Sequence, residues 1–320
     1  MKHTGNSVTV VMYHYIRDLK KSRYPEIKGL DYMLFKTQIE YFLKNYNIIS
    51  MEDIIESLNT GCVLPEKAML LTFDDGYKDH YEYAFPILDK YKLQGSFFVP
   101  GKTFEEGKLL DVNKIHFILA GGERDEIIKK LRKEIEVLCK EDPYIDDFET
   151  LWKKYAKANR FDDEKTIFIK RVLQTGIPEK YRNDVSSKLF DEIVCGGGAI
   201  SEKQFAAELY MNRDQLECMK RNGMFFGLHG YDHYWLNNLP GNELRNDIRR
   251  AKQAMRNLVD ENSWVMCYPY GATDDTVRNV VKSEGGVLGF TTEVSEAQIC
   301  ESHRYDLPRF DTNDFYPKKR

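Results

Sequence analysis

The segment Leu70-Leu71-Thr72-Phe73-Asp74-Asp75-Gly76-Tyr77 joins an apolar run to two adjacent carboxylates. The run begins at Ala68 and has the composition of a buried strand. Two like charges side by side disfavour each other's ionisation, and a metal ion is a natural compensator. Because adjacent residues leaving a strand point in different directions, one carboxylate can bind a cation while its neighbour handles protons. The alternative is a plain turn, since Asp and Gly both favour turns.

Segments on both sides of this run alternate between strand and helix patterns. The run from Val8 to Tyr13 is β-branched and aromatic, which predicts a strand that ends at His14. Strand, helix and strand at this spacing favour a parallel α/β sheet, in which functional residues gather at the carboxyl ends of the strands. The other predicted elements are strands at 95–100, 224–228, 263–268 and 287–292, and helices at 35–45, 51–58, 81–91, 212–222, 242–259 and from a cap at Thr273 to Lys282.

The composition is that of an ordinary globular protein. The chain has 320 residues, with 42% hydrophobic and 31% charged content and a formal net charge of -4. That length suits one large domain of barrel type, or a domain with an insertion. The charge and the lack of a concentrated basic segment give no reason to expect a nucleic-acid partner. We expect no membrane span, because no segment approaches ~20 apolar residues.

The cysteines and the N-terminus favour a cytoplasmic location. Six scattered cysteines, without a C-x-x-C pair, are typical of reduced thiols rather than of a disulfide framework. The apolar run that starts at Ser7 is too short for a signal peptide and is interrupted by His14. A chain trimmed of its signal is the alternative.

Residues 105–207 differ in character from the rest. Charged helical runs at 125–140 and 148–157 replace the strand patterns, so we predict a helical insertion in a domain formed by residues 1–104 and 208–320. Gly196-Gly197-Gly198 is a candidate hinge near the end of the insertion. The insertion either shapes a substrate cleft or builds a contact in a homo-oligomer, and the sequence does not choose between these roles.

The segment His229-Gly230-Tyr231-Asp232-His233 contains two imidazoles four residues apart, directly after a predicted strand. If the segment makes a helical turn, both side chains can face one point. With an aspartate from another strand end, they would form a site of two histidines and one carboxylate, which suits zinc. Two histidines in a polar loop are the alternative.

Three motifs follow one another along the chain: Thr72-Phe73-Asp74-Asp75-Gly76-Tyr77, the pair of His229 and His233, and Tyr268-Pro269-Tyr270-Gly271. In residues 8–104 and 208–311 the chain thereby resembles the NodB-homology polysaccharide deacetylases of carbohydrate esterase family four. The resemblance implies a distorted (β/α) barrel with a helical insertion. It also implies an enzyme that removes an acetyl group from an N-acetylated sugar.

Carried over by position, the resemblance implies that Asp74 is the catalytic base and that Asp75, His229 and His233 are metal ligands. The cation would polarise the amide carbonyl and its bound water, and Asp74 would take the proton of the water. Zinc is the expected cofactor, with cobalt, nickel or manganese as alternatives.

The chain departs from the family pattern in two places. Many members carry an Arg two residues before the proline of the third motif, where this chain has Cys267. We expect Arg309 to supply the charge instead by pairing with Asp74. The usual C-terminal Leu-x-His, which provides the general acid, is missing. The strand end at His14 resembles that of the poly-N-acetylglucosamine deacetylases, where a histidine takes this role, so His14 is the candidate acid, with strand-end packing as the alternative.

The predicted function is metal-dependent N-deacetylation of a cell-surface glycan or of its nucleotide-linked or lipid-linked precursor. An O-deacetylase, a hydrolase of a non-sugar amide and a catalytically silent glycan-binding module remain as alternatives. The intact base and ligand set argues against the silent module. Tyr77, Tyr231 and Tyr270 are candidates to stack on sugar rings, with core packing as the alternative for each.

Overall fold

The computed structural model describes residues 6–158 and 162–317, and the chain divides into two compact units. The first unit comprises Met1–Asp18, Gly29–Gly107 and Ala207–Arg320, and the second comprises Leu19–Lys28 and Lys108–Ala206. The predicted insertion was a single segment, whereas the second unit also contains Leu19–Lys28. In that unit Tyr24 packs against Phe117 and Phe205, with ring centroids 5.2 and 5.9 Å apart.

The first unit is built on a largely parallel sheet, which confirms the predicted α/β class. Its strand order is β10-β1-β5-β6-β7-β8-β9, with β11 beside β1 and β4 beside β5, and only the pairing of β1 with β10 is antiparallel among these neighbours. A separate parallel ribbon joins β2 to β3. The strands are β1 Ser7–Tyr13, β2 Ile16–Arg17, β3 Leu30–Asp31, β4 Asn47–Ile48, β5 Ala68–Asp74, β6 Ser96–Val99, β7 Phe225–Leu228, β8 Trp264–Cys267, β9 Gly286–Phe290, β10 Ala297–Gln298 and β11 Phe310–Asp311.

Both faces of the central strands are buried, as in parallel sheets covered on each side. Along β5, Met69, Leu71 and Phe73 belong to one apolar cluster, whereas Ala68 and Leu70 belong to another. Because side chains alternate along a strand, Thr72 and Asp74 continue the second set. The carboxylate of Asp74 therefore ends a buried row of side chains rather than lying on the surface.

Helices connect the strands of the first unit, and their ends follow local sequence signals. Helix α2 begins after a capping box between Ser50 and Asp53 and ends at Gly61, whose φ of 75° is left-handed. The N-cap of α13 is Asp274, not Thr273 as predicted, because the Asp274 carboxylate accepts the N–H of Val277 at 2.8 Å. The helices of this unit are α1 Tyr32–Asn45, α2 Met51–Thr60, α3 Phe85–Lys90, α4 Gly101–Glu105, α11 Arg213–Arg221, α12 Gly241–Ala254 and α13 Asp275–Ser283.

The second unit is helical, and no strand is assigned to its described residues. On α6, Ile127, Leu131 and Ile135 are buried at a spacing of four residues, which defines the apolar stripe of the helix. The α-helices are α5 Asp111–Gly121, α6 Arg124–Glu141, α7 Phe148–Tyr155, α8 Glu164–Arg171 and α9 Glu179–Ile193, and α10 Glu202–Leu209 leads back into the first unit. Over the described ranges, every helix is too short or too polar to cross a lipid bilayer.

Candidate active site

Asp74 is bound by a buried arginine. Its Oδ1 and Oδ2 accept hydrogen bonds from Nη1 and Nη2 of Arg309 at 3.0 and 2.8 Å, and both residues are almost completely buried. The guanidinium also donates to Thr72 Oγ1 at 3.1 Å and to the Thr291 carbonyl at 2.9 Å. Burial alone would raise the pKa of Asp74, but Arg309 and His229 outweigh it and lower the pKa to about 2. Asp74 is therefore ionised at neutral pH.

Asp75 points to a different partner than Asp74, because the backbone turns sharply after the strand. Asp75 and Gly76 have φ values of 72° and 69°, both in the left-handed region. A Cβ on Gly76 would also lie 2.5 Å from Val99, so only glycine fits there. The hydroxyl of Tyr77 donates to Asp75 Oδ2 at 2.6 Å. This bond leaves Oδ1 as the atom that faces the histidines.

The two histidines reach Asp75 from a loop, which corrects the expected helical turn. His229 follows β7 directly, and residues 229–233 are not helical. Gly230 and His233 have φ values of 68° and 60°, and these left-handed residues curl the loop. The Nε2 atoms of His229 and His233 lie 3.5 and 3.3 Å from Asp75 Oδ1. Three potential ligand atoms thus converge, as the metal prediction requires.

The chemistry of these donors fits a divalent cation. Asp75 Oδ1 is buried and has no hydrogen-bond donor among the described residues. The Nδ1–H of His229 donates to the Cys267 carbonyl at 2.6 Å, which leaves Nε2 as the ring nitrogen that faces Asp75. The histidine contacts hold the pKa of Asp75 well below its usual range in spite of burial, and burial lowers the pKa of His233. Cys267, Asp75 and Asp74 hold the pKa of His229 well above its usual range in spite of burial, so a cation bound there would take the place of a proton on that ring. An ionised carboxylate and a neutral imidazole are the forms that bind metal.

His14 lies beside Asp74 and is partly exposed. Its Nε2 is 3.9 Å from Asp74 Oδ2, and its side chain is 40% exposed. The backbone carbonyl of His14 accepts a hydrogen bond from Nε2 of the buried His80 at 2.7 Å. The imidazole of His14 therefore contacts both the candidate base and solvent, and the hydrogen bond from His80 fixes its backbone.

Comparison with models of protein families identifies the family of this chain. The family model described as polysaccharide deacetylase matches residues 63–137 and 196–287, which together make up more than half of the chain. The chain belongs to the polysaccharide deacetylase family. This result confirms the family resemblance found in the sequence motifs.

Individual relatives match shorter stretches of this chain. The poly-beta-1,6-N-acetyl-D-glucosamine N-deacetylase of Escherichia coli (strain K12) is 32% identical over 89 residues, which are 27% of this chain and 13% of that enzyme. YxkH of Bacillus subtilis (strain 168) is 30% identical over 95 residues, which are 29% of this chain and 32% of YxkH. The chain thus covers less than a third of each of these curated relatives.

Solved structures share the fold of this chain over nearly its whole length. The Streptococcus pyogenes deacetylase PplD, solved in complex with acetate, has a TM-score of 0.57 and 17% identity over 96% of this chain and 93% of PplD. IcaB from Ammonifex degensii has a TM-score of 0.56 and 18% identity over 98% of this chain and 95% of IcaB. These likenesses confirm the predicted distorted (β/α) barrel.

Two of the three candidate sugar-stacking tyrosines lie in the interior, which corrects that prediction. Tyr77 has 0% exposure and stacks on Tyr15 at 4.1 Å, and Tyr231 is 4% exposed with its hydroxyl donating to Glu106 at 2.9 Å. Neither ring has a face available to a sugar. Tyr270 is partly exposed and stacks on Trp235, with ring centroids 4.4 Å apart.

The sequence did not indicate two contacts at this site. The thiol of Cys267 lies 3.5 Å from both Asp74 oxygens, so the residue in place of the motif arginine still contacts the candidate base. Asp247, on α12, is buried and accepts N–H groups from the loop between the histidines. A carboxylate on the buried side of an amphipathic helix, next to Ile248, was a signal in the sequence that could have identified Asp247.

Proposed function

We propose that this polysaccharide deacetylase is a divalent-metal-dependent hydrolase that removes an acetyl group from an N-acetylated sugar of a cell-surface glycan or its precursor. The convergence of Asp75 Oδ1 with the Nε2 atoms of His229 and His233 carries this proposal. The base candidate Asp74 is the adjacent residue, so a ligand set and a proton acceptor meet at one strand end.

Asp75, His229 and His233 would hold the cation. Two imidazoles and one carboxylate favour zinc and leave coordination positions open. When bound, a divalent cation supplies Lewis-acid polarisation of the acetyl carbonyl and lowers the pKa of water.

Asp74 accepts the proton of the attacking water. The two charge-assisted bonds from Arg309 keep its carboxylate ionised and fix its orientation. The third motif has Cys267 where many family members have an arginine. Arg309, which lies further along the chain, thus supplies the positive charge instead. We assign Arg309 the role of a positioning residue, because it acts through Asp74.

His14 delivers a proton to the leaving group. An amine leaves an amide only after its nitrogen is protonated, so N-deacetylation needs a general acid. The imidazole of His14 is within 3.9 Å of Asp74 and partly exposed, so it can exchange protons with solvent between turnovers. An alkoxide leaving group depends less on such an acid, and the role of His14 therefore bears on the choice between N- and O-deacetylation.

The substrate class is an acetylated glycan. The name of the Escherichia coli relative, a poly-N-acetylglucosamine N-deacetylase, supports an N-acetylated hexosamine polymer or oligomer. Tyr270, the one partly exposed ring among the three candidates, is proposed to contact a sugar ring. All six cysteines lie in the described residues and are free, which is compatible with the predicted cytoplasmic location.

Acetate release tests the proposal. The purified chain is incubated with N-acetylglucosamine oligomers and with O-acetylated xylan, each after chelation and again after zinc is restored. We expect zinc-dependent acetate from the N-acetylated substrate, and none from the Asp74→Asn variant. Acetate only from the ester substrate would establish the O-deacetylase alternative. Glycan binding without acetate release in the zinc-loaded chain would establish the silent module.

A further inference from the structure

Two of the three residues between the metal-site histidines donate backbone N–H groups to a carboxylate on a helix. The N–H of Tyr231 donates to Oδ2 of Asp247 at 2.9 Å, and the N–H of Asp232 donates to Oδ1 at 3.0 Å. Asp247 lies on α12, fourteen positions beyond His233, and is only 4% exposed. One buried carboxylate therefore binds two consecutive backbone N–H groups of the loop.

Two carbonyls and one side chain of the loop have partners as well. The carbonyls of Gly230 and Tyr231 accept the N–H groups of Gly101 and Lys102 at 3.3 and 3.1 Å. The Asp232 carboxylate pairs with Lys102 and Arg250 at 3.1 and 3.0 Å. These ion pairs act on the side chain of Asp232, which is 13% exposed, and not on the backbone of the loop. Asp247 instead acts on the buried backbone.

The loop needs such support because its conformation is unfavourable. His233 is a non-glycine residue with a φ of 60°, a conformation that persists only where the surroundings impose it. A Cβ on Gly230 would lie 3.0 Å from Asp247 Oδ2, so the carboxylate closely approaches the turn itself. If Asp247 were removed, the buried N–H of Tyr231 and the partly buried N–H of Asp232 would lose their acceptor and the loop would relax.

We propose that Asp247 is a positioning residue of the metal centre, whose carboxylate holds the loop in the one shape that brings His229 and His233 together at Asp75. This inference rests on the metal-dependent function proposed above. Asp247 does not contact the ligand atoms. It sets the direction of both imidazoles through the backbone between them.

Zinc affinity, measured by competition with a chromophoric chelator, tests the proposal. Asp247→Asn replaces one acceptor oxygen with a donor, and Glu243→Gln makes the same carboxylate-to-amide exchange at an exposed position of α12. We expect Asp247→Asn to weaken zinc binding by about ten- to a hundredfold, as loss of an orienting partner does, and Glu243→Gln to bind like the wild type. Amide hydrogen exchange in the metal-free proteins should be faster at Tyr231 and Asp232 in Asp247→Asn alone.

Wild-type zinc affinity in a folded Asp247→Asn variant would overturn the proposal, even if the melting temperature fell. If that variant does not fold, Asp247→Glu replaces it, since the longer side chain displaces both oxygens while keeping the charge, and the same weakening is expected. A wild-type chain that binds no zinc would refute the proposed metal site. The hydrogen-exchange comparison, made without metal, would then still decide whether Asp247 orders the loop.

Discussion

Breaking the buried pair of Arg309 and Asp74 should strongly destabilise the first unit. Both side chains are at most 2% exposed, and two charge-assisted hydrogen bonds join them. Loss of one partner from such a pair leaves an uncompensated buried charge and costs about 3–5 kcal/mol. We therefore expect Arg309→Met to lower the free energy of unfolding by about 3–5 kcal/mol at neutral pH.

The lowered pKa of Asp74 gives a second figure for the contribution of this pair to the free energy of unfolding. The fall from 3.8 to about 2 corresponds to roughly 2 kcal/mol, since one pKa unit is worth about 1.4 kcal/mol. A depressed folded-state pKa stabilises above the unfolded pKa, so this contribution is complete at neutral pH and is lost as the pH falls from about 4 towards 2. Arg309→Met should lack this acid-dependent loss.

A double-mutant cycle, measured by urea unfolding, separates the interaction energy of Arg309 and Asp74 from the effects of each substitution on packing. Wild type, Arg309→Met, Asp74→Asn and the double variant are unfolded at neutral pH and followed by tryptophan fluorescence. Because the double variant buries no unpaired charge, it should be more stable than the sum of the single losses predicts, by about 2 kcal/mol or more. Additive losses, or a loss below about 1 kcal/mol in Arg309→Met, would refute the argument.

Three further predictions concern neighbouring residues. His14→Gln should lower kcat for an N-acetylated substrate by about a hundredfold or more with little change in zinc affinity, and full turnover in steady-state assays would contradict its role as the acid. Tyr77→Phe removes the donor to Asp75 Oδ2 and should weaken zinc binding by about tenfold or more in a chelator titration, whereas unchanged affinity would show that the bond does not orient the ligand. Burial lowers the pKa of His80 to about 4, although its bond to the His14 carbonyl opposes this. The histidine is therefore protonated at a higher pH in the unfolded chain than in the folded one, which favours unfolding as the pH falls below about 6.5. Between pH 7 and pH 5 the wild type should lose up to about 2 kcal/mol of unfolding free energy through this group, and His80→Gln should not. Urea unfolding at the two pH values measures the difference.

Much of the fold followed from local sequence patterns. The run from Ala68 to Asp74 has the length and apolar character of a doubly buried strand, and the signals at Ser50 and Gly61 marked both ends of a helix. These features depend on neighbours in the chain, so the sequence carries them directly. The segment Leu19–Lys28 joins the second unit through tertiary contacts of Tyr24, and no local pattern indicates such a contact.

The structure brings Asp75, His229 and His233 together, as the sequence predicts, but the local geometry that does so was not predicted. The spacing of His229 and His233 suggested a helical turn, yet left-handed residues and the distant Asp247 bring the two rings together in a loop. Tyr77 was expected to face a sugar, but the turn at Asp75 directs it inward onto Tyr15. Such directions depend on backbone dihedrals and on partners far along the chain, which residue types and spacing do not specify.

The central claim is that one carboxylate and two imidazoles from separate strand ends together bind one divalent ion. Calorimetric titration of the metal-free chain with zinc tests it most directly, with Asp75→Asn as the site variant and His116→Gln, on α5 of the second unit, as the histidine control. We predict one zinc ion per chain for wild type and His116→Gln, and loss of that binding in Asp75→Asn. Zinc binding that persists unchanged in Asp75→Asn, or a wild-type chain that binds no zinc, would contradict the account.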